Sequence, residues 1–454
     1  MIKRRAVLVI LLIVAVLIIG FYPVVFKHKV DAQKSNVLKL YLAGDGENYD
    51  KRMDAIIREF QNKYPNIKIQ KVMFDTNKNG GIEGYVKKML TDTLAGDGPD
   101  ILVLDNMSTR KLEKSEMLLD LKPLIEKDKD FKKSDYNMKV MQAGLYNGKQ
   151  LIMPIDYYVN QYITTNKLLK DNNIKLKNSC SQNDFMNELD EYINSTNEDK
   201  NKYLFSTPMD IEDFLVSSGE KFIDYDNKKV YFDKPEFKRI IENYKKIYNS
   251  SKKESDLAGI SGVNGLEDLK NGDVLFSNDP IDMRDTFFIY ESLVNQYIGE
   301  KEIINAMPSY KGGDKITAIV GNSLAISKNA KNKQAAYNFI KIAISQDIQG
   351  SRKLPSYIPI NKKAARDLEN KYMKDEVNSA YEYSKDVTIV KQPLSDNFQR
   401  YYNNVLDNLS GAQVTDYEVE QTMMKCLTPY FEDRSSYENC VRILENKIKL
   451  YLNE

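Results

Sequence analysis

A chain of 454 residues with 42% apolar side chains is too long for one ordinary core and suits two. Its 66 Lys and Arg against 65 Asp and Glu leave a net charge of +1, so no concentrated basic face is available for nucleic acid. The single histidine, His28, precedes the body, which excludes from the body a Ser-His-Asp or Cys-His nucleophile and a His-ligated zinc or iron site.

The chain starts basic, with Lys3, Arg4 and Arg5, and then runs apolar from 6 to 26. About 20 residues at ~1.5 Å each span a ~30 Å hydrocarbon layer. Residues 1–33 therefore read as a signal-anchor, with cleavage after Ala32 as the alternative. The excess of positive side chains before the run places residues 34–454 on the outer side of the membrane.

Val37 to Ala43 is a strand-like run stopped by Gly44-Asp45-Gly46. Met53, Ile56, Ile57, Phe60 and Tyr64 recur at helical spacing and end at Pro65. Ile67 to Phe74 gives a second strand, Val86 to Leu94 a second helix, and Ile101 to Leu104 a third strand, short and wholly apolar as in a covered parallel sheet. This β-α-β-α-β order predicts a parallel sheet with ligand beyond its strand ends, which carry Asp45, Asp75, Asn77, Asp105 and Asn106. Residues 118–125 and 137–145 read as helical, and 151–155 as a strand leading into Asp156-Tyr157-Tyr158. Asp224 to Asn227 reads as a hairpin turn, Asn322 to Ser327 as a later strand, and 360–450 as almost entirely helical.

Asp75-x-Asn77-x-Asn79-Gly80 copies the opening of a calcium loop, but Val86 stands where a bidentate Glu is required, so a turn is expected there. No dinucleotide fingerprint and no P-loop is present. Cys180, Cys426 and Cys440 form no CxxC pair. They are expected as buried thiols, with pairing of Cys426 and Cys440 left open. No metal or cofactor is expected.

Six blocks, in order, resemble the family 1 extracellular solute-binding proteins, the group that includes maltose-binding protein. They are Glu59-Phe60 to Ile69, Leu94-Ala95-Gly96-Asp97-Gly98-Pro99-Asp100-Ile101, Leu118 to Leu124, Tyr146 to Pro154, Tyr162 to Leu169, and Ile319 to Ser327 followed by Lys331 to Ile340. The resemblance implies an α/β, two-lobed periplasmic-binding-protein type II fold, each lobe a mainly parallel sheet flanked by helices. Lobe one would be 36–153 plus 303–346, and lobe two 156–300 plus 350–454. It implies a monomeric, non-enzymatic protein outside the membrane. Such a protein captures a polar solute of the sugar or oligosaccharide class between its lobes and delivers it to the permease subunits of an ABC importer. Carried over by position, the ligand contacts would be Asp45, Asp105, Asn106, Tyr157, Tyr158, Asn278, Asp279 and Asn322, with Phe398 and Tyr401 as stacking aromatics. Two other readings fit the composition: a membrane-anchored sensor presenting solute to a kinase, and a glycan hydrolase, which needs two cleft acids about 5–10 Å apart.

Overall fold

The structure, a computed structural model, describes residues 36–45, 48–49, 52–104, 109–177, 179–198, 201–206, 209–253, 265–278, 291–351, 357–374, 378–384 and 387–453. The expected membrane segment, 6–26, and the cleavage point at Ala32 lie outside these residues. Among the described residues no helix is long and apolar enough to cross a membrane.

The first sheet grows from β1 (Val37–Asp45), whose Leu38, Leu40 and Leu42 are buried. Helix α1 (Arg52–Lys63) follows and turns Met53, Ile56 and Phe60 inward, one apolar stripe at helical spacing. It delivers β2 (Lys68–Asp75) parallel to β1, in register from Val37↔Lys68 to Gly44↔Asp75. Helix α2 (Gly81–Leu94) buries Tyr85, Val86 and Met89 and leads to β3 (Ile101–Leu104), parallel to the other edge of β1. The short helix α3 (Thr109–Lys114) follows. Strand β4 (Ile152–Pro154) belongs to the same sheet, but β5 (Asp156–Tyr158), one residue later, does not.

The second sheet is built from β6 (Gln161–Thr165), β7 (Tyr203–Phe205), β8 (Val274–Phe276) and β9 (Glu302–Ala306), with helix α4 (Ile211–Ser217) between β7 and β8. Strand β9 is antiparallel to β6, a bridge from Ile163 to Ser277 joins β6 to the end of β8, and β8 is parallel to β7. Next come β10 (Ile316–Val320) and β11 (Ser323–Ile326). Strand β11 enters the first sheet between β3 and β4, antiparallel to both. The helix α5 (Lys333–Ala343) then packs back on α1, with Phe339 5.6 Å from Phe60 between ring centroids. Both sheets are thus mixed rather than mainly parallel, because the returning strands β9 and β11 run against their neighbours.

The last stretch holds β12 (Ile358–Pro359), α6 (Asp396–Asp407), β13 (Leu409–Gln413), α7 (Tyr417–Phe431) and α8 (Tyr437–Asn453). A third sheet, ordered β12-β5-β10-β13, links the other two. The region 360–450, expected to be almost entirely helical, therefore contains three strands: the antiparallel pair Ala380–Ser384 and Val387–Val390, and β13. Ser410-Gly411 breaks the helical pattern, and β13 gains a ladder with β10. Against the expected lobe limits, β9 pairs in the second sheet. The buried apolar side chains of 358–414 join the first core, while those from Val419 onward join the second.

The G-x-x-P-D segment has a structural reason. Gly98 lies against the Thr93 backbone, where an added Cβ would sit 2.6 Å from Thr93 Cα. Asp100, 6% exposed, accepts from the backbone N–H of Lys39 and of Lys331, each at 2.9 Å. One carboxylate thereby ties β1, β3 and the turn into α5 together. Asp100→Ala strands two N–H groups, and we expect a loss of about 2–4 kcal/mol in urea unfolding. Asp75, at the calcium-like run, accepts instead from the N–H of Asn77 and Lys78, as a turn former does.

Candidate functional site

The chain passes between the first and third sheets twice, at Ile155 and at Gly321-Asn322, and the two passages lie side by side. Ile155 N–H donates to Asn322 O at 2.8 Å, and Gly321 N–H to Asp156 O at 3.1 Å. Asp156, 2% exposed, accepts from the backbone N–H of Asn322 at 2.7 Å, and the Asn322 Nδ2 amide lies 3.0 Å from both of its carboxylate oxygens. Position 321 must be glycine for steric reasons. A Cβ there would meet the Tyr357 ring at 2.4 Å and Asp156 Oδ1 at 2.6 Å.

Past this knot, alternate residues of β5 point to opposite faces. Tyr157 goes into the first core and is 1% exposed. Tyr158 turns the other way. Its ring lies 4.7 Å from that of Tyr357, and its hydroxyl donates to Asp213 Oδ2 at 3.1 Å. Asn160, two residues on, reaches the same helix α4 through Ser217 Oγ at 3.0 Å. Two half-buried tyrosines and a carboxyl thus form one wall where the sheets meet. Burial, reinforced by Asp210, pushes the Asp213 carboxyl well above its ordinary range. Burial and the nearby Asp213 do the same to the Tyr158 hydroxyl. A carboxyl that retains its proton both donates and accepts, which suits a hydroxyl-bearing partner.

Helix α3 follows the expected Asp105-Asn106 loop and bridges the two cores. Arg110 Nη1 pairs with Glu113 Oε2 at 2.7 Å, Nη2 donates to Val414 O at 3.3 Å, and the guanidinium lies 4.5 Å over the Tyr225 ring. Lys111 pairs with Glu418 at 3.2 Å. Behind them Asp416 accepts from Tyr451 Oη at 3.0 Å, and its backbone N–H donates to Glu212 Oε2 at 2.7 Å.

Of the expected contacts, Asp105, Asn106 and Asp279 lie outside the described residues. Asp45 ends β1. Asn278 is half-buried at the end of β8. Asn322 holds Asp156. Phe398 is 1% exposed in the first core. Tyr401, on the same helix α6, donates to Gln161 Oε1 and lines a separate hollow. The structure therefore groups Tyr158 with Asp213 and Tyr357, neither of which the sequence singled out. The signal for Asp213 was present in Pro208-x-Asp210-x-x-Asp213, an acidic first turn of a helix next to a strand end. Tyr357 carried none.

Residues 55–380 match the description of the bacterial extracellular solute-binding proteins. The chain belongs to that family.

Solved structures of this family type share the fold. The sugar-binding protein MalE from Xanthomonas citri superposes with a TM-score of 0.68 at 15% identity, covering 92% of this chain and 97% of its own. The substrate-binding protein Lmo0181 from Listeria monocytogenes, solved with cycloalternan, gives 0.60 at 16% identity over 92% and 99%. The GacH receptor of Streptomyces glaucescens, solved unliganded and with acarbose, gives 0.58 at 14% identity over 92% and 98%. No curated protein matches the sequence significantly. The three-sheet arrangement is the two-lobed periplasmic-binding-protein fold, the third sheet lying where the lobes join.

Proposed function

We propose that this solute-binding protein captures a sugar or oligosaccharide between its lobes and passes it to the permease subunits of an ABC importer. The apolar run at 6–26 would hold it at the outer face of the membrane. In this reading it is a carrier and performs no chemistry on its solute. The observation that carries it is the Tyr158–Tyr357–Asp213 wall beside the crossing, in a chain of this family. Paired aromatic faces pack on the C–H face of a sugar ring, and a protonated carboxyl meets its hydroxyls. The sugar-binding neighbours named above support the solute class. Asp105, Asn106, Asn278 and Asp279 are proposed to complete the contacts from the surrounding loops, and Asp45 from the end of β1.

A thermal-shift screen of the full chain against mono- and oligosaccharides tests this, since a bound solute raises the melting point by linkage. Tyr158→Ala is expected to weaken binding of the hit about tenfold, the equivalent of ~1.4 kcal/mol of ring contact. A screen in which no saccharide shifts melting would end the proposal. So would a hit whose affinity is unchanged in Tyr158→Ala.

A further inference from the structure

A hollow of about 660 Å³ shares no residue with the Tyr158–Tyr357–Asp213 wall. That size falls within the range of small-molecule sites. One side is the polar face of α6, where Asn397, Arg400 and Asn404 recur three or four residues apart and so lie on one face. The facing side is the β6–β9 edge of the second sheet, with Tyr162 and Asn305, flanked by loops carrying Lys177 and Lys315.

The charges around this hollow do not cancel. Of its two carboxylates, Asp407 pairs at 2.6 Å with Arg366 Nη2, outside the lining, while Asp314 accepts from Ser179 Oγ within it and keeps its charge. Among the described residues, Lys177, Lys315 and Arg400 make no ion pair. Three cations, offset in part by Asp314 in the lining and by Asp184 near Lys177, leave a positive excess that favours an oxyanion, and Arg400 can grip one through two N–H groups. The side-chain amides around them both donate and accept, which is what an array of hydroxyls needs.

We propose that this hollow is a second solute site, separate from the cleft, and that it takes a small hydroxyl-bearing oxyanion, either a sugar carboxylate or a sugar phosphate. Cys180 lines the same hollow and is half-buried, whereas Cys426 and Cys440 are buried, so its alkylation reports occupancy. The full chain is titrated with D-gluconate and with D-glucose 6-phosphate, using D-glucose and inorganic phosphate as controls. Calorimetry and the rate of maleimide addition to Cys180 are followed together. At least one sugar oxyanion should bind and slow alkylation tenfold or more, and which of the two does so identifies the anion.

Arg400→Gln, at an exposed position, should melt like the parent and bind that ligand at least tenfold more weakly. Tyr158→Ala should bind it unchanged. The proposal fails if neither sugar oxyanion slows alkylation, or if glucose or inorganic phosphate alone slows it equally. It also fails if Tyr158→Ala removes the effect, or if Arg400→Gln leaves it intact.

Discussion

At pH 8, where Glu113 is ionised, Arg110→Ala should lower the unfolding free energy by about 3–5 kcal/mol, the largest single-residue effect we expect in this protein. The guanidinium is the only cation paired with Glu113 among the described residues, and the Glu113 side chain is 0% exposed. Removing it leaves a carboxylate in a dry interior, next to Asp416 and Asp226, with one oxygen already lacking a partner. The pair itself is a weak source of stability, because two ions had to leave water to form it. The double variant Arg110→Met with Glu113→Leu should therefore regain most of the loss, to within about 1–2 kcal/mol of the parent. Guanidinium unfolding of the three proteins checks this. Equal destabilisation in the single and double variants would show that the stacking on Tyr225 and the bond to Val414, not the stranded charge, hold α3 in place.

Stability should fall as pH rises from about 5 to about 8. Burial pushes Glu113 up to about 7 despite Arg110, Glu291 up to about 7 with Glu302 beside it, and Glu420 up to about 7 with Asp210 nearby. Glu212 and Asp416 are raised by burial as well. In the unfolded chain a glutamate ionises near 4.5, so between that value and about 7 unfolding releases a proton from each group. Their contribution is whole below about 4.5 and is lost as pH passes through about 7. A fully buried group contributes up to about 3 kcal/mol across that window, and the half-exposed Glu420 much less. The depressed carboxyls, Asp92, Asp97 and Asp184 among them, act only at lower pH, where they protonate. Denaturation at pH 5, 6, 7 and 8 should show the decline, and Glu291→Gln should flatten it. A stability that climbs over this range would mean these side chains are ionised in the folded protein.

The first half of the first sheet was legible because each of its strands and helices is continuous in sequence and differs in period. The run Ile101 to Leu104 could be placed to the residue. The β13 strand was not, since Leu409 to Gln413 is half exposed and owes its conformation to pairing with β10, nearly a hundred residues away. The site divided in the same way. Tyr158, proposed here as a contact, stood out because it follows a strand at a crossing. Asn322 stood out too, but a short amide beside a strand looks alike whether it faces solute or, as here, clasps Asp156. Phe398 and Tyr401 share a helix with Tyr402, and helical spacing does not tell which of the three is turned toward a cleft. The wall partners Asp213 and Tyr357 come from distant segments, and only the fold brings them to Tyr158.

The place of β11 bears on how the chain is made. That strand sits between β3 and β4, so the first sheet lacks a central member until about residue 326 has left the ribosome. Until then the N-terminal half holds two separated pieces that cannot seal against each other, and closing them over so long a stretch is slow. A nascent polypeptide built this way completes the rigid form of its first sheet only after the segment near residue 326 has been added.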